Sequence, residues 1–314
     1  MAGLTAARRL KDSGWDLVLV DKSSGPGGRM ATRRIGESRF DSGAQFFTVR
    51  DPRFRAAVER WEAAGIAAPW FSEGGHIRYR GVGGMNAIPR HLAAEFRLLT
   101  EIKIVVVEYQ NAAWSAIADD GQRFIAEAVL LTPPVPQSLA LLPPDIIPAP
   151  QGIDFAPCLA LLVTLEGPGR VPAPGYVRPE QGPVEWLADN TQKGISSGPA
   201  ALTIHARADF SRNYLDAPEQ EVSQLLLDAA EPWLGLRVTA SQLKRWKYSK
   251  PTRAGGPMCL FSNTPGPLAI AGDAFAGGRV EGAFLSGLAA AEALLKNSCE
   301  GSPPESEPPL CGPR

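Results

Sequence analysis

The chain has 314 residues, 44% of them hydrophobic and 21% charged, with a formal net charge of −1. This length allows one large domain or two interleaved domains, and the balanced charge argues against a nucleic acid or an anionic membrane as partner. No apolar run of about 20 residues predicts a membrane span. The four cysteines and three histidines are scattered, so we expect no metal centre, a reducing cytoplasmic location and a small-molecule ligand.

The N-terminal segment is predicted to form a helix, "MAGLTAARRL", followed by a strand, "WDLVLVD". A dinucleotide-binding fold places glycines at the first strand-to-helix turn, where backbone amides meet a pyrophosphate. An acidic residue about 20 positions later binds the ribose. Gly3 fits the last glycine of that turn, and Asp21 fits the acidic residue that follows it. An ordinary helix and strand would fit them equally well.

Two glycine-rich turns, "GPGGRMATRR" and "DSGAQFF", favour the nucleotide interpretation. Gly27 and Gly28 precede Arg29, so the arginine can lie beside a phosphate while the backbone wraps a flat cofactor. An exposed loop is the alternative. Such a loop does not require a second turn of glycine and aromatic residues directly after it.

The central part of the chain predicts further helices and a second sheet. Helical spacing follows Pro52 and recurs in "NAIPRHLAAEF", and strand-like runs follow in "IKIVVVEY" and "AAWSAIADDGQRFIAEAVLLTPP". A proline-rich stretch at 142–157 indicates a crossing between domains. Beyond it, "CLALLVTLEG", "GPVEWLADN" and "ALTIHARADF" predict strands, and "APEQEVSQLLLDAAEPWLG" predicts a helix.

The C-terminal part returns to strand, glycine turn and helix. "LAIAGD" ends at Asp273, whose carboxylate can accept hydrogen bonds from a polyol, and the helix that starts near Glu281 offers free backbone donors. A strand and helix that simply complete the sheet are equally consistent with this pattern. Residues 299–314 are rich in proline, serine and glutamate and are predicted to be a disordered tail.

Six segments, "DKSSGPGGRMATRR", "FDSGAQFFT", "GVGGMNAI", "TIHARADFS", "RWKYSKP" and "GDAFAGGRVEGAFLSG", resemble the renalase-like branch of the flavin-containing amine oxidase superfamily. The resemblance extends to about Lys296. It implies an α/β fold, with a Rossmann-like FAD-binding domain of the p-hydroxybenzoate hydroxylase type and a second, α+β substrate domain. We expect residues 1–50, 81–150 and 253–298 in the first domain and 51–80 and 151–252 in the second. Family members carry a strand and a glycine pair ahead of the position of Met1, so we expect this chain to lack both.

The resemblance also implies a site for FAD. Asp21 would bind the adenosine ribose, Arg29 the phosphate region and Asp273 the ribitol. Ile104 would meet the adenine through its backbone, and residues 280–283 would meet the flavin ring. No cysteine lies in that helix start, so noncovalent binding is expected. The full expected cofactor set is Gly3, Asp21, Lys22, Gly27, Gly28, Arg29, Met30, Gly43, Ala44, Gln45, Phe46, Ile104, Pro133, Gly272, Asp273, Val280, Glu281, Gly282 and Ala283.

The implied reaction takes hydride from misreduced dihydronicotinamide isomers of NAD(P) and passes the electrons to O2 as H2O2. Aromatic residues would sandwich the flat ring, and Asn190 and His205 would orient its carboxamide. For each aromatic residue the alternative is core packing. The substrate-side candidates, none assigned a catalytic step, are His205, Asn190, Trp246, Trp186, Met85 and Phe46.

Two other functions are consistent with the sequence. An amine or polyamine oxidase would use the same flavin with a lysine nearby, and Lys244, Lys247 and Lys250 flank Trp246. A non-catalytic remnant would keep the substrate domain as a binding module. These alternatives differ in which electron donor, if any, reduces the flavin.

Overall fold

The structure is a computed structural model that describes residues 1–148, 150, 152–198, 200–253 and 256–299. The helices are α1 (Ala2–Lys11), α2 (Pro52–Ala63), α3 (Ala87–Ala93), α4 (Val135–Leu139), α5 (Ala208–Asn213), α6 (Glu219–Leu234) and α7 (Val280–Cys299). The strands are β1 (Val18–Val20), β2 (Thr32–Ile35), β3 (Ser38–Asp41), β4 (Ala67–Glu73), β5 (His76–Gly81), β6 (Arg97–Leu99), β7 (Ile104–Gln110), β8 (Ala113–Ala118), β9 (Arg123–Ala126), β10 (Val129–Leu131), β11 (Phe155–Leu165), β12 (Tyr176–Val177), β13 (Val184–Asp189), β14 (Ala201–Ala206), β15 (Val238–Pro251), β16 (Leu260–Ser262) and β17 (Leu268–Ile270).

The Rossmann-like half contains short parallel strands covered by helices. Strands β1 and β6 pair in parallel, and β17 lies between its parallel neighbour β10 and the antiparallel β16. All three residues of β17 are buried, as expected for a strand covered on both faces. Helices α1 and α7 pack against each other beside these strands. Among the described strands β1 and β10 have one partner each, and residues of both line a single cavity.

The second half is a five-stranded antiparallel sheet in the order β12-β13-β14-β11-β15. Strand β11, which lies between β14 and β15, is buried on both faces, since buried residues occur at successive positions whose side chains point to opposite sides. Leu159, Leu161 and Val163 belong to the core that includes Val222 of α6. Leu162 faces the other way and packs with Phe40 of β3. The sheet therefore lies between α6 and the β2–β3 hairpin that follows the first glycine turn.

Most of the predicted helices form where the sequence indicates. Asp51 caps α2 by accepting the backbone N–H of Arg53, and Pro52 occupies the first turn, where its missing N–H costs nothing. The predicted tail begins one residue too early, since α7 extends to Cys299; residues 300–314 lie outside the described residues. The sequence analysis missed the β4–β5 hairpin and the long strand β15. No helix in the described ranges is long and apolar enough to cross a bilayer.

Candidate active site

A cavity of about 2850 Å³ lies between the Rossmann-like half and the antiparallel sheet. It is larger than the pockets of drug-sized ligands, which measure roughly 300–1,000 Å³, so it has room for a dinucleotide together with a second molecule. Twenty of the predicted site residues line it: Gly3, Asp21, Lys22, Gly27, Gly28, Arg29, Met30, Gly43, Ala44, Gln45, Phe46, Ile104, Pro133, Trp186, His205, Trp246, Gly272, Asp273, Val280 and Ala283.

Four predicted site residues lie outside the cavity lining and hold the surrounding structure instead. Met85 is fully buried and its N–H donates to Asp41 Oδ1. Asn190 is also fully buried; its amide donates to Ala201 O and Thr203 Oγ1 and accepts from the Asp41 N–H. The expected role of Asn190 in orienting a carboxamide is therefore wrong, because its amide is already engaged in the core.

Glu281 and Gly282 are the other two. The Glu281 carboxylate is buried and accepts the backbone N–H groups of Arg50 and Asp51, at 2.6 and 2.7 Å, so it ties α7 to the start of α2. Gly282 is a close-contact position, since a Cβ there would lie 2.1 Å from Ala276 O. Val280 and Ala283, on the same helix start, do line the cavity.

Arg29 and Asp273, expected at different parts of the cofactor, form a bidentate ion pair at the cavity wall. The two N–O distances are 2.6 and 2.9 Å, and Arg29 also donates to Ser249 O at 3.1 Å. Paired hydrogen bonds of this type fix the plane of the guanidinium. The pair therefore links the first glycine turn, β15 and the segment after β17, which are distant in sequence.

The first turn of α1 faces the cavity and fits a phosphate group. Residues 1–4 line the cavity, and the N-cap position makes no side-chain capping bond, so the amides of the first turn are available to a ligand. The helix dipole adds positive potential there. Asp21 Oδ1 accepts the Ser23 N–H, and its carboxylate lies at the end of β1, where a ribose binds in dinucleotide folds. These groups fit the adenosine and pyrophosphate parts of FAD.

The loop of residues 42–46 lies against the Arg29 turn, lines the cavity with residues 43–46 and is anchored by a buried ion pair. Lys193 Nζ lies 2.6 Å from Asp41 Oδ2, and both side chains are fully buried. Asp41 Oδ1 also accepts from Thr32 Oγ1. Burial lowers the pKa of Lys193, and the carboxylate of Asp41 opposes this shift. The sequence analysis missed Lys193 because it lies in a turn 152 residues away from its partner.

His205 and Trp246 both bind the carbonyl oxygen of Ser42. The distances to His205 Nε2 and Trp246 Nε1 are 3.2 and 2.8 Å. A carbonyl only accepts, so His205 carries its hydrogen on Nε2. Burial lowers the pKa of His205 to about 4, and the imidazole is neutral at pH 7. Its role here is to donate a hydrogen bond that positions the loop.

An aromatic cluster extends from the cavity wall toward the surface. Trp186 lines the cavity, with the ring centroid of Phe46 at 5.5 Å and that of Tyr176 stacked on it at 4.6 Å. The Arg178 guanidinium lies 4.8 Å from the Trp186 ring. Phe46 and Trp186 therefore both line the cavity and pack against other aromatic rings, and their contact with a substrate stays a prediction.

His205 predicts a pH dependence of stability. Its folded pKa of about 4 is depressed from the ordinary 6.5, so the unfolded state binds a proton that the folded state excludes. We expect stability that is fully present above pH 6.5 and is lost as pH falls through about 4, by about 3 kcal/mol at most. Urea unfolding across this window, with His205→Gln as the comparison, measures it. An equally steep pH slope in the variant would refute the assignment.

Comparisons with known proteins agree with this architecture. Residues 1–61 match the NAD(P)-binding Rossmann-like domain, and residues 62–295 match the flavin containing amine oxidoreductase family. The fold is similar to that of a protein from Exiguobacterium sp. 255-15 provisionally assigned as a protoporphyrinogen oxidase, with a TM-score of 0.73, 12% identity and coverage of 94% of this chain and 97% of that one.

A putrescine oxidase bound to putrescine shows the same fold at a TM-score of 0.68 and 13% identity, with coverage of 94% of this chain and 97% of the other. At such identities the likeness concerns the fold. The family match covers most of the chain and implies a flavin cofactor. This protein therefore belongs to the flavin containing amine oxidoreductase family.

Proposed function

We propose that the chain is a renalase-like oxidase that holds FAD noncovalently and oxidises misreduced dihydronicotinamide isomers of NAD(P), with O2 as the electron acceptor and H2O2 as the product. The domain boundaries given above and a cytoplasmic location are part of this proposal. The observation that carries the choice of substrate is the charge of the cavity lining. A dinucleotide is an anion, whereas a polyamine is a cation.

The charge count favours the dinucleotide. Among the residues that the structure describes, thirteen Lys or Arg residues and five Asp or Glu residues line the cavity. An excess of one sign in a cleft raises the local concentration of ligands of the opposite sign. A polyamine would enter against this potential, while a pyrophosphate-bearing substrate would enter with it.

FAD, when bound, supplies the hydride acceptor and the route to O2. The chain would hold it through the first-turn amides of α1, the Asp21 carboxylate and the Arg29–Asp273 pair. These groups span adjoining parts of the cavity wall, which an extended dinucleotide requires. No covalent link is needed for this mode of binding.

The residues of the antiparallel sheet that line the cavity would position the substrate. Trp246 and Trp186 offer flat apolar surfaces to a nicotinamide ring. Neutral His205 and the indole N–H of Trp246 hold the Ser42 carbonyl, which keeps the loop of residues 43–46 against the cavity. Loss of hydride restores an aromatic pyridinium, so no strong base is required of the chain.

An amine oxidase is the second candidate, favoured by the family match and by the lysines around Trp246. Against it, Lys244 Nζ already lies 5.2 Å from the Trp246 ring centroid, where an aromatic cage would need to receive the substrate ammonium. The third possibility, a non-catalytic remnant, requires that the purified chain carry no flavin.

Anaerobic mixing of the purified holoenzyme with each class of donor tests the proposal. We expect the dihydronicotinamide isomers to bleach the visible flavin absorbance and putrescine to leave it unchanged. Admitting O2 should then restore the colour with one H2O2 formed per donor oxidised. Bleaching by amines alone would establish the amine oxidase, and absence of flavin would establish the remnant.

A further inference from the structure

We propose that Lys22, Arg33 and Lys244 form a phosphate-binding site at the edge of the cavity, which receives a phosphate group of the electron-donating substrate. The identity of that substrate rests on the proposed function above. The phosphate site itself rests on the position of three cations. All three side chains belong to residues that line the cavity.

The three cations come from three different elements that line the same cavity. Lys244 and Trp246 are two residues apart on β15, so their side chains share one face of the strand. Arg33 lies on β2, which packs against β15. Lys22 follows the end of β1. The packing of β2 against β15 brings Arg33 near Lys244, and the charge of Lys22 acts on Lys244 as well.

These like charges have no protein counter-ion in the described part of the chain. No described carboxylate lies within 4.0 Å of any of the three, whereas Arg29, which also lines the cavity, is paired with Asp273. Burial lowers the pKa of Lys244, and the nearby charges of Arg33 and Lys22 lower it further. An anion placed among the three would relieve this repulsion.

A phosphate group fits these cationic donors better than a neutral ligand does. The Arg33 guanidinium offers a planar fork to two phosphate oxygens, and the two lysines add point charges. The Trp246 indole lies directly beside Lys244 and gives a flat surface for an attached ring. The site would thus select a phosphorylated nucleotide over the corresponding nucleoside and would repel a polyamine.

The decisive variants are Lys244→Gln and its charge-preserving partner Lys244→Arg, with Lys296→Gln as the control. Lys296 is an exposed lysine of α7 that does not line the cavity. All variants are compared as flavin-loaded enzyme. Inorganic pyrophosphate serves as the binding probe, because it carries the phosphate chemistry without a reducible ring.

We expect Lys244→Gln to weaken pyrophosphate binding to the oxidised holoenzyme about tenfold, with less difference at high salt. The same variant should raise KM for a dihydronicotinamide mononucleotide about tenfold, with kcat nearly unchanged and no effect on the matching nucleoside. Lys244→Arg should retain both properties, and Lys296→Gln should behave as the unmodified chain.

Three results would overturn the site. Equal KM changes for nucleotide and nucleoside would mean that Lys244 does not bind the phosphate group. Loss of flavin from Lys244→Gln would mean that the cations serve the cofactor, and unchanged pyrophosphate affinity would exclude an anion site. If no dihydronicotinamide is oxidised, the proposed function fails, while the pyrophosphate titration still decides whether the phosphate site exists.

Discussion

Replacing Lys193 by alanine should lower the free energy of unfolding by about 3–5 kcal/mol, because removal of one partner leaves a buried charge without compensation. Asp41 would then be fully buried without its ion-pair partner and with only the more distant charge of Arg80 acting on it, or would have to take up a proton. The loss should also loosen the loop of residues 42–46 and lower flavin retention. Denaturant unfolding followed by intrinsic fluorescence measures the first effect, and the flavin content of the purified protein measures the second.

Two comparisons separate this effect from general damage. Lys247→Ala removes an exposed lysine and should change stability by no more than about 0.5 kcal/mol. The double variant Asp41→Asn with Lys193→Met removes both charges and should be more stable than Lys193→Ala alone. A loss below about 1 kcal/mol for Lys193→Ala would show that the buried pair does not anchor the loop.

Gly43→Ala should disrupt the cavity wall where the loop of residues 42–46 meets the Arg29 turn. A Cβ at this position would lie 2.1 Å from the carbonyl oxygen of Arg29, which is a backbone atom and cannot swing aside. The same carbonyl accepts the Ala44 N–H at 2.9 Å, so the two loops would have to separate. We expect a loss of about 1–3 kcal/mol in stability from the overpacking. Displacement of Arg29 should also weaken flavin binding.

Gly25→Ala is the matched control. Gly25 belongs to the same glycine-rich turn as Gly27 and Gly28, but a Cβ there meets nothing within 4 Å and its φ is not positive. Thermal unfolding and a flavin titration of both variants measure the difference. If Gly43→Ala binds flavin as tightly as Gly25→Ala, the close approach of the two loops does not shape the cofactor site.

Local patterns in the sequence were sufficient to predict the helices and the inner strands of the antiparallel sheet. The continuous apolar run of β11 reflects burial on both faces, and the apolar spacing of α2 is framed by its cap and Pro52. Strand β15 was missed because its sequence, "VTASQLKRWKYSKP", is largely polar: it lies at the edge of the sheet and faces the cavity and solvent. The β4–β5 hairpin contains Pro69 and a register shift that obscure its alternation.

For the candidate site too, local features were predictable from the sequence and contacts between distant segments were not. Glycine turns and strand ends identified most of the residues that line the cavity, because these features are local. The interpretation failed for the side chain of Asn190, since a polar side chain near a predicted site can equally satisfy buried backbone groups, and sequence does not show which partner it meets. The Glu281 carboxylate likewise binds backbone N–H groups, while the contact of its helix start with the flavin stays a prediction. The Asp41–Lys193 pair joins distant segments, and no periodicity or spacing signals such a contact.

The composition of the chromophore in the purified protein tests the account most directly, because every assignment depends on one flavin dinucleotide held without a covalent bond in the central cavity. Acid precipitation of the yellow protein should release one FAD per chain into the supernatant and leave a colourless pellet. A protein that purifies without flavin and cannot be loaded with FAD, or one whose flavin stays with the precipitate, would contradict the account.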